Sequence, residues 1–140
     1  ALLAAKAVVA PAFPSTSEAA ALKSMASQGA FPGAVVDGPL TPDIALSPEA
    51  ARAGGSTSPV AGTAEVLVGP SMEGTVMLVR ALTGMSGGLA AGLVLGASVP
   101  IVVPASQDSN ETRIASCVLA SLVAAAAAAT RLAAPEPAAA

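Results

Sequence analysis

From position 84 to position 104 the chain carries no charged residue and is rich in Gly, Leu, Val and Ala. That run closes on Ser98-Val-Pro-Ile-Val-Val-Pro104. It turns polar at once in Ala105-Ser-Gln-Asp-Ser-Asn-Glu-Thr-Arg113, then becomes largely apolar again over residues 114–129. An apolar β-type segment at 99–103, a polar turn and a helix follow one another. That order predicts polar residues at the carboxyl end of a strand, the edge where open α/β sheets bind ligands.

The same alternation runs through the rest of the chain. Residues 1–10 are a short apolar opening of ambiguous period, broken by Pro11 and Pro14. Ser15-Thr-Ser-Glu18 has the spacing of a capping box. A helix is predicted over 18–27, with Ala19, Leu22 and Met25 or Ala26 on one face. Ala34-Val-Val36 reads as a compact strand, and Asp37-Gly-Pro-Leu40 as a turn. Residues 42–49 read as irregular. Ser47 is placed to cap a helical turn through Arg52, with Pro48 at its first position. Glu65-Val-Leu-Val68 reads as a strand ended by Gly69-Pro70. Residues 71–82 read as a helix capped by Ser71, and Ser109 or Asn110 caps the last helix. Residues 118–132 prolong that helix, since the alanine run 124–129 has the highest helix propensity available. Alternating strands and helices make the fold class α/β. One domain is expected over residues 1–132, followed by a disordered Ala/Pro tail at 133–140.

Composition narrows the chemistry. Among 140 residues, 54 % are apolar, but alanine dominates them and aromatics are only 1 %. The core is therefore expected to be thin, because alanine buries little area. The net charge of −3 and six scattered basic residues leave no Lys/Arg cluster to displace nucleic-acid counterions. With no His and one Cys, neither a zinc site nor a Ser-His-Asp triad can be built from this chain. Cys117 reads as a small buried hydrophobe in a helix, and an unpaired thiol suits a reducing, cytoplasmic setting.

The uncharged interval 81–107 is long enough to span a bilayer, and its glycines have the spacing of packed membrane helices. It lacks an aromatic belt and a basic flank, and Pro100 and Pro104 interrupt its last third. The favoured reading is soluble: a helix or turn region at 84–95, then a short buried strand at 99–103. Lys6 sits inside the opening apolar run rather than before it, unlike a secretory signal.

Within the polar corner, Asp108 and Glu111 are candidate bases. Ser106 and Ser109 are candidate hydroxyl donors, and Arg113 is the one cation. A helix N-terminus near Asn110 adds backbone donors for an anion. The competing reading of Asp108-Ser-x-Glu111 is a helix cap with no substrate. Glu73 has the same two readings, since a carboxylate in the first turn of a helix favours its dipole. Asp37 and Asp43 are ordinary turn chemistry.

Four strings in order resemble the phosphate acetyl/butyryl-transferase family. They are Val35-Val-Asp-Gly-Pro-Leu40 with Ser47-Pro-Glu-Ala-Ala-Arg52, and Ser58-Pro-Val-Ala-Gly62 with Ala64-Glu-Val-Leu67. Ala90-Ala-Gly-Leu-Val-Leu-Gly-Ala97 follows, then Asp108-Ser-x-Glu-Thr-Arg113 with Ala115-Ser-Cys117. The resemblance implies the C-terminal portion of a phosphotransacetylase, with a partial isocitrate/isopropylmalate dehydrogenase-like fold. It implies acyl transfer between coenzyme A and phosphate, with coenzyme A as co-substrate and no tightly bound cofactor. It implies a homodimer or a missing N-terminal half as partner, and neither nucleic acid nor membrane. Asp108 and Glu111 are then the catalytic candidates, and Ser106, Ser109, Arg113 and Glu73 the substrate-binding ones. Two strings depart from the family. Ala105-Ser106 stands where members carry Ser-Arg, and Pro70-Ser-Met-Glu-Gly-Thr-Val76 keeps only the Pro and Glu of its counterpart. These departures imply a chain that is weak or inactive alone. The alternative is a non-catalytic, degenerate copy serving as a structural or subunit-contact module.

Overall fold

The computed structural model describes residues 1–133. The expected tail lies almost wholly outside the described residues. Five helices follow one another: α1 (Pro14–Ser27), α2 (Pro42–Leu46), α3 (Pro48–Ala53), α4 (Met72–Ser86) and α5 (Asn110–Ala133). Contacts gather in two compact units, Ala1–Leu78 and the residues from Val79 onward. The division falls within α4.

Local chemistry accounts for most helix starts. Pro48 occupies the first turn of α3, and Ser47 Oγ accepts from the Ala50 N–H at 3.2 Å. Ser71 Oγ accepts from the Gly74 N–H at 3.0 Å where α4 begins. Ser109 Oγ accepts from the Thr112 N–H at 3.2 Å at the start of α5. All three are serine N-caps, each satisfying one orphan amide. The first helix departs from expectation. It starts at Pro14, four residues early, with Phe13 as an N-cap that makes no side-chain bond. Thr16, expected in a capping box, is fully buried instead. Its Oγ1 donates towards the carbonyls of Phe13 and Ala10 and accepts the Ala10 N–H at 2.9 Å, folding the opening segment onto the helix.

The three expected strands do not form. Among the described residues there are only isolated bridges: Leu2 with Val68 and Leu3 with Leu40, both parallel, and Val94 with Ile101, antiparallel. The opening segment, whose period was ambiguous, lies in the middle of the first unit. Leu2 N–H donates to Asp37 O at 2.9 Å and Ala4 N–H to Leu40 O at 2.9 Å. On the other side, Leu3 N–H donates to Val68 O at 2.8 Å. Three parallel segments are thus paired over two or three residues each, short of a regular ladder. The pairing involves 37–40, expected as a turn, rather than 34–36.

The core of the first unit is Leu3, Leu40, Ala45 and Val60, with Ile44, Leu67 and Leu78 packed against it. Every buried apolar side chain among the described residues belongs to this unit. In the second unit, Val99, Ile101 and Val103 are 63 %, 42 % and 73 % exposed, so the expected buried strand is an exposed, bent segment. This unit is the end of α4, a long connection and α5, and Leu89, Leu95, Ile114 and Leu122 are as exposed as that segment. One clasp within the unit is polar. Buried Ser116 donates to Thr112 O at 2.8 Å and accepts the Gly92 N–H at 3.0 Å.

Candidate functional site

The corner at 105–113 joins that bent segment to α5. Its turn is closed by Asp108 N–H donating to Ala105 O at 3.1 Å. Asp108 is held at both oxygens. Oδ2 accepts the Ala105 N–H at 2.7 Å, and Oδ1 accepts from Arg80 at 3.0 Å. The Ala105 amide, with Arg80 and Arg113 behind it, outweighs burial and holds the Asp108 carboxyl below the usual aspartate value. Glu111 lies in the first turn of α5. Its own amide and the Ser109 hydroxyl hold its carboxyl below the usual glutamate value.

Arg113 folds back over the turn. Its Nε donates to Asp108 O at 3.2 Å, and one terminal nitrogen donates to Ser106 O at 3.2 Å and Ala105 O at 3.4 Å. The guanidinium therefore sits at the backbone of positions 105 and 106. Its second terminal nitrogen makes no hydrogen bond among the described residues. Ser106 is exposed, its hydroxyl 3.2 Å from Gln107 Oε1. The structure thus brings Ser106, Asp108, Ser109, Glu111 and Arg113 to one corner. Glu73 lies in the first turn of α4, exposed, in the first unit. Cys117, expected buried, is exposed. It lines a shallow groove of about 460 Å³ along α5 with Arg113, Ile114, Val118, Ser121 and Leu122.

Two features escaped the sequence reading. Arg80, on α4, is the cation that meets Asp108. In the first unit, Lys23 Nζ lies 2.5 Å from Asp37 Oδ1, beside a cleft of about 940 Å³ that also takes in Ser56, Thr57 and Ser58. Burial pushes the Asp37 carboxyl up, but hydrogen bonds from Lys23, Ser58 and the Gly38 amide together hold it below its ordinary value. Asp37 was expected in a plain turn. No local pattern links it to a lysine fourteen positions earlier on a helix. No group of His, Cys, Asp and Glu among the described residues forms a metal site. One described helix, over Asn110–Ala129, is long and apolar enough to cross a membrane by length and composition. It is not the 81–107 interval that the sequence singled out.

The described residues are similar in fold to part of a phosphotransacylase. A crystal structure of a branched-chain phosphotransacylase from Enterococcus faecalis V583 superposes with a TM-score of 0.77 at 31 % identity, over 86 % of this chain and 43 % of that one. The family model described as phosphate acetyl/butaryl transferase matches residues 1–121, and this chain belongs to that family. It is 51 % identical over 125 residues to a phosphate acetyltransferase of Rhizobium meliloti, covering 89 % of this chain and 40 % of the relative. A phosphate butyryltransferase of Clostridium acetobutylicum is 43 % identical over 117 residues, covering 84 % and 39 %. The chain therefore spans about 40 % of the length of the curated relatives it matches.

Proposed function

We propose that this chain is the part of a phosphate acyltransferase that presents the 105–113 corner to an acyl phosphate or phosphate, with coenzyme A as the second substrate. The observation that carries this reading is the family match over residues 1–121, which includes the whole corner. The arrangement suits an anion. Arg113 brings a guanidinium to the turn, Ser106 and Ser109 offer hydroxyls, and the first turn of a 24-residue helix contributes its dipole. Donors aimed at phosphate oxygens stabilise the charge that shifts onto the leaving phosphate as the thiolate attacks. The thiol of coenzyme A, with an ordinary pKa of about 8.5, must lose its proton. Of the two candidate bases Glu111 is the better placed. Asp108 must release Arg80 or Ala105 before it can accept a proton. Both carboxyls are weak bases as folded, which fits low activity for the isolated chain.

We further propose an α/β arrangement for the complete enzyme, with the short parallel pairings of segments 1–4, 37–40 and 66–68 as its remnant here. Pairing of subunits and a cytoplasmic setting belong to the same reading. A second reading has a specific observation in its favour. Arg113 spends its Nε and one terminal nitrogen on backbone carbonyls, as a purely structural brace would. The substitution Ser106→Arg separates the two. If the corner faces substrate, restoring the family's arginine strengthens phosphate binding measurably in calorimetry. A structural module shows no gain.

A further inference from the structure

Arg80 belongs to none of the strings that carry the family resemblance. It sits on α4, and its guanidinium meets Asp108 Oδ1 across 28 residues of sequence. The other Asp108 oxygen holds the Ala105 amide at 2.7 Å, and the Asp108 amide and carbonyl bond to Ala105 O and Arg113. Four of the bonds that shape the corner therefore run through Asp108. Arg80 is the group that ties this aspartate to a helix. The pair is partly open to water, with side chains 45 % and 14 % exposed for Arg80 and Asp108. Such pairs add little to global stability. What this one governs is where a turn points.

We propose that Arg80 is a positioning residue for the corner. By holding Asp108 it keeps the turn at 105–108 closed, and so keeps the Ser106 hydroxyl and the Arg113 guanidinium in the arrangement that receives an anionic substrate. The inference rests on the reading of the corner as the substrate-facing segment. Removing the guanidinium frees the Asp108 carboxylate to turn towards water and lets the Ala105 amide open. Lysine at the same position keeps a charge within reach of Oδ1.

The test uses the whole chain as wild type, Arg80→Gln and Arg80→Lys. Amide exchange at Ala105 is followed by NMR, and acetyl phosphate binding is titrated in the same samples. Arg80→Gln is expected to speed Ala105 exchange by about three- to tenfold, the range for loss of one partly exposed charged hydrogen bond. It weakens acetyl phosphate binding by a similar factor, and Arg80→Lys restores most of both. Unchanged exchange at Ala105 overturns the proposal. So does weaker binding with no change at Ala105, because Arg80 would then touch the anion itself. If wild type binds no acetyl phosphate but Ala105 exchange shifts as expected, the positioning role stands and the substrate reading of the corner fails. Should Arg80→Gln lose helical circular dichroism, Asp108→Asn is the second variant, with the same exchange shift expected.

Discussion

Gly38 lies directly against Leu2: a Cβ at position 38 would sit 2.6 Å from the Leu2 carbonyl oxygen and 2.7 Å from the Leu2 Cβ. That contact lets residues 37–40 run beside the opening segment, with Leu2 N–H on Asp37 O and Leu40 N–H on Leu2 O. Both neighbouring atoms belong to the most buried part of the first unit, so neither can yield easily. Gly38→Ala is therefore expected to destabilise the unit by about 1–3 kcal/mol, the range for overpacking a closed site. Chemical denaturation measures it. A midpoint equal to wild type contradicts the pairing.

The Lys23–Asp37 pair gives the first unit an acid-sensitive contact. The Asp37 carboxyl is held below its ordinary value in the fold. Unfolded, it titrates at about 3.9. The group with the lower folded value stabilises the protein above the unfolded value, and the stabilisation is lost as pH falls through the folded one. Melting temperatures read from pH 6 down to about 2.5 should fall more steeply for wild type than for Asp37→Asn. Parallel curves would mean that the ion pair carries no linkage.

Ser109 is the side-chain N-cap of α5, a helix of 24 residues. Ser109→Ala should cost about 1 kcal/mol of helix stability, seen as fraying of the first turn of α5 in amide exchange at Thr112. Because Ser109 Oγ also lowers the Glu111 carboxyl, the same variant should let the Glu111 titration rise towards the ordinary value in carbon-13 NMR. A frayed turn without that rise would place Glu111 away from the Ser109 hydroxyl in solution.

What the sequence discloses and what it hides follow one physical line. Ser47 with Pro48, Ser71 and Ser109 were legible as helix starts, because a cap is a bond between residues three apart. Glu73 and Glu111 were legible in first turns for the same reason. The opening segment was not. Leu2, Leu3 and Ala4 have no period to read, and their partners are more than thirty and more than sixty positions away. Residues 99–103 misled in the opposite sense. Their β-branched, apolar composition suits a buried strand, but composition cannot say whether a covering layer is present, and here Val103 is 73 % exposed. The site divided in the same way. The polar string 105–113 stood out by contrast with its surroundings. Arg80 and Lys23 are single cations whose partners, Asp108 and Asp37, lie 28 and 14 residues away.

Titration of acetyl phosphate into the whole chain, wild type against Arg113→Gln, tests the central claim most directly. Wild type is expected to bind with a Kd on the order of 1 mM, about −4 kcal/mol, and the variant at least tenfold more weakly. Binding that survives intact in Arg113→Gln, or no heat from the wild type at several times that concentration, would contradict it.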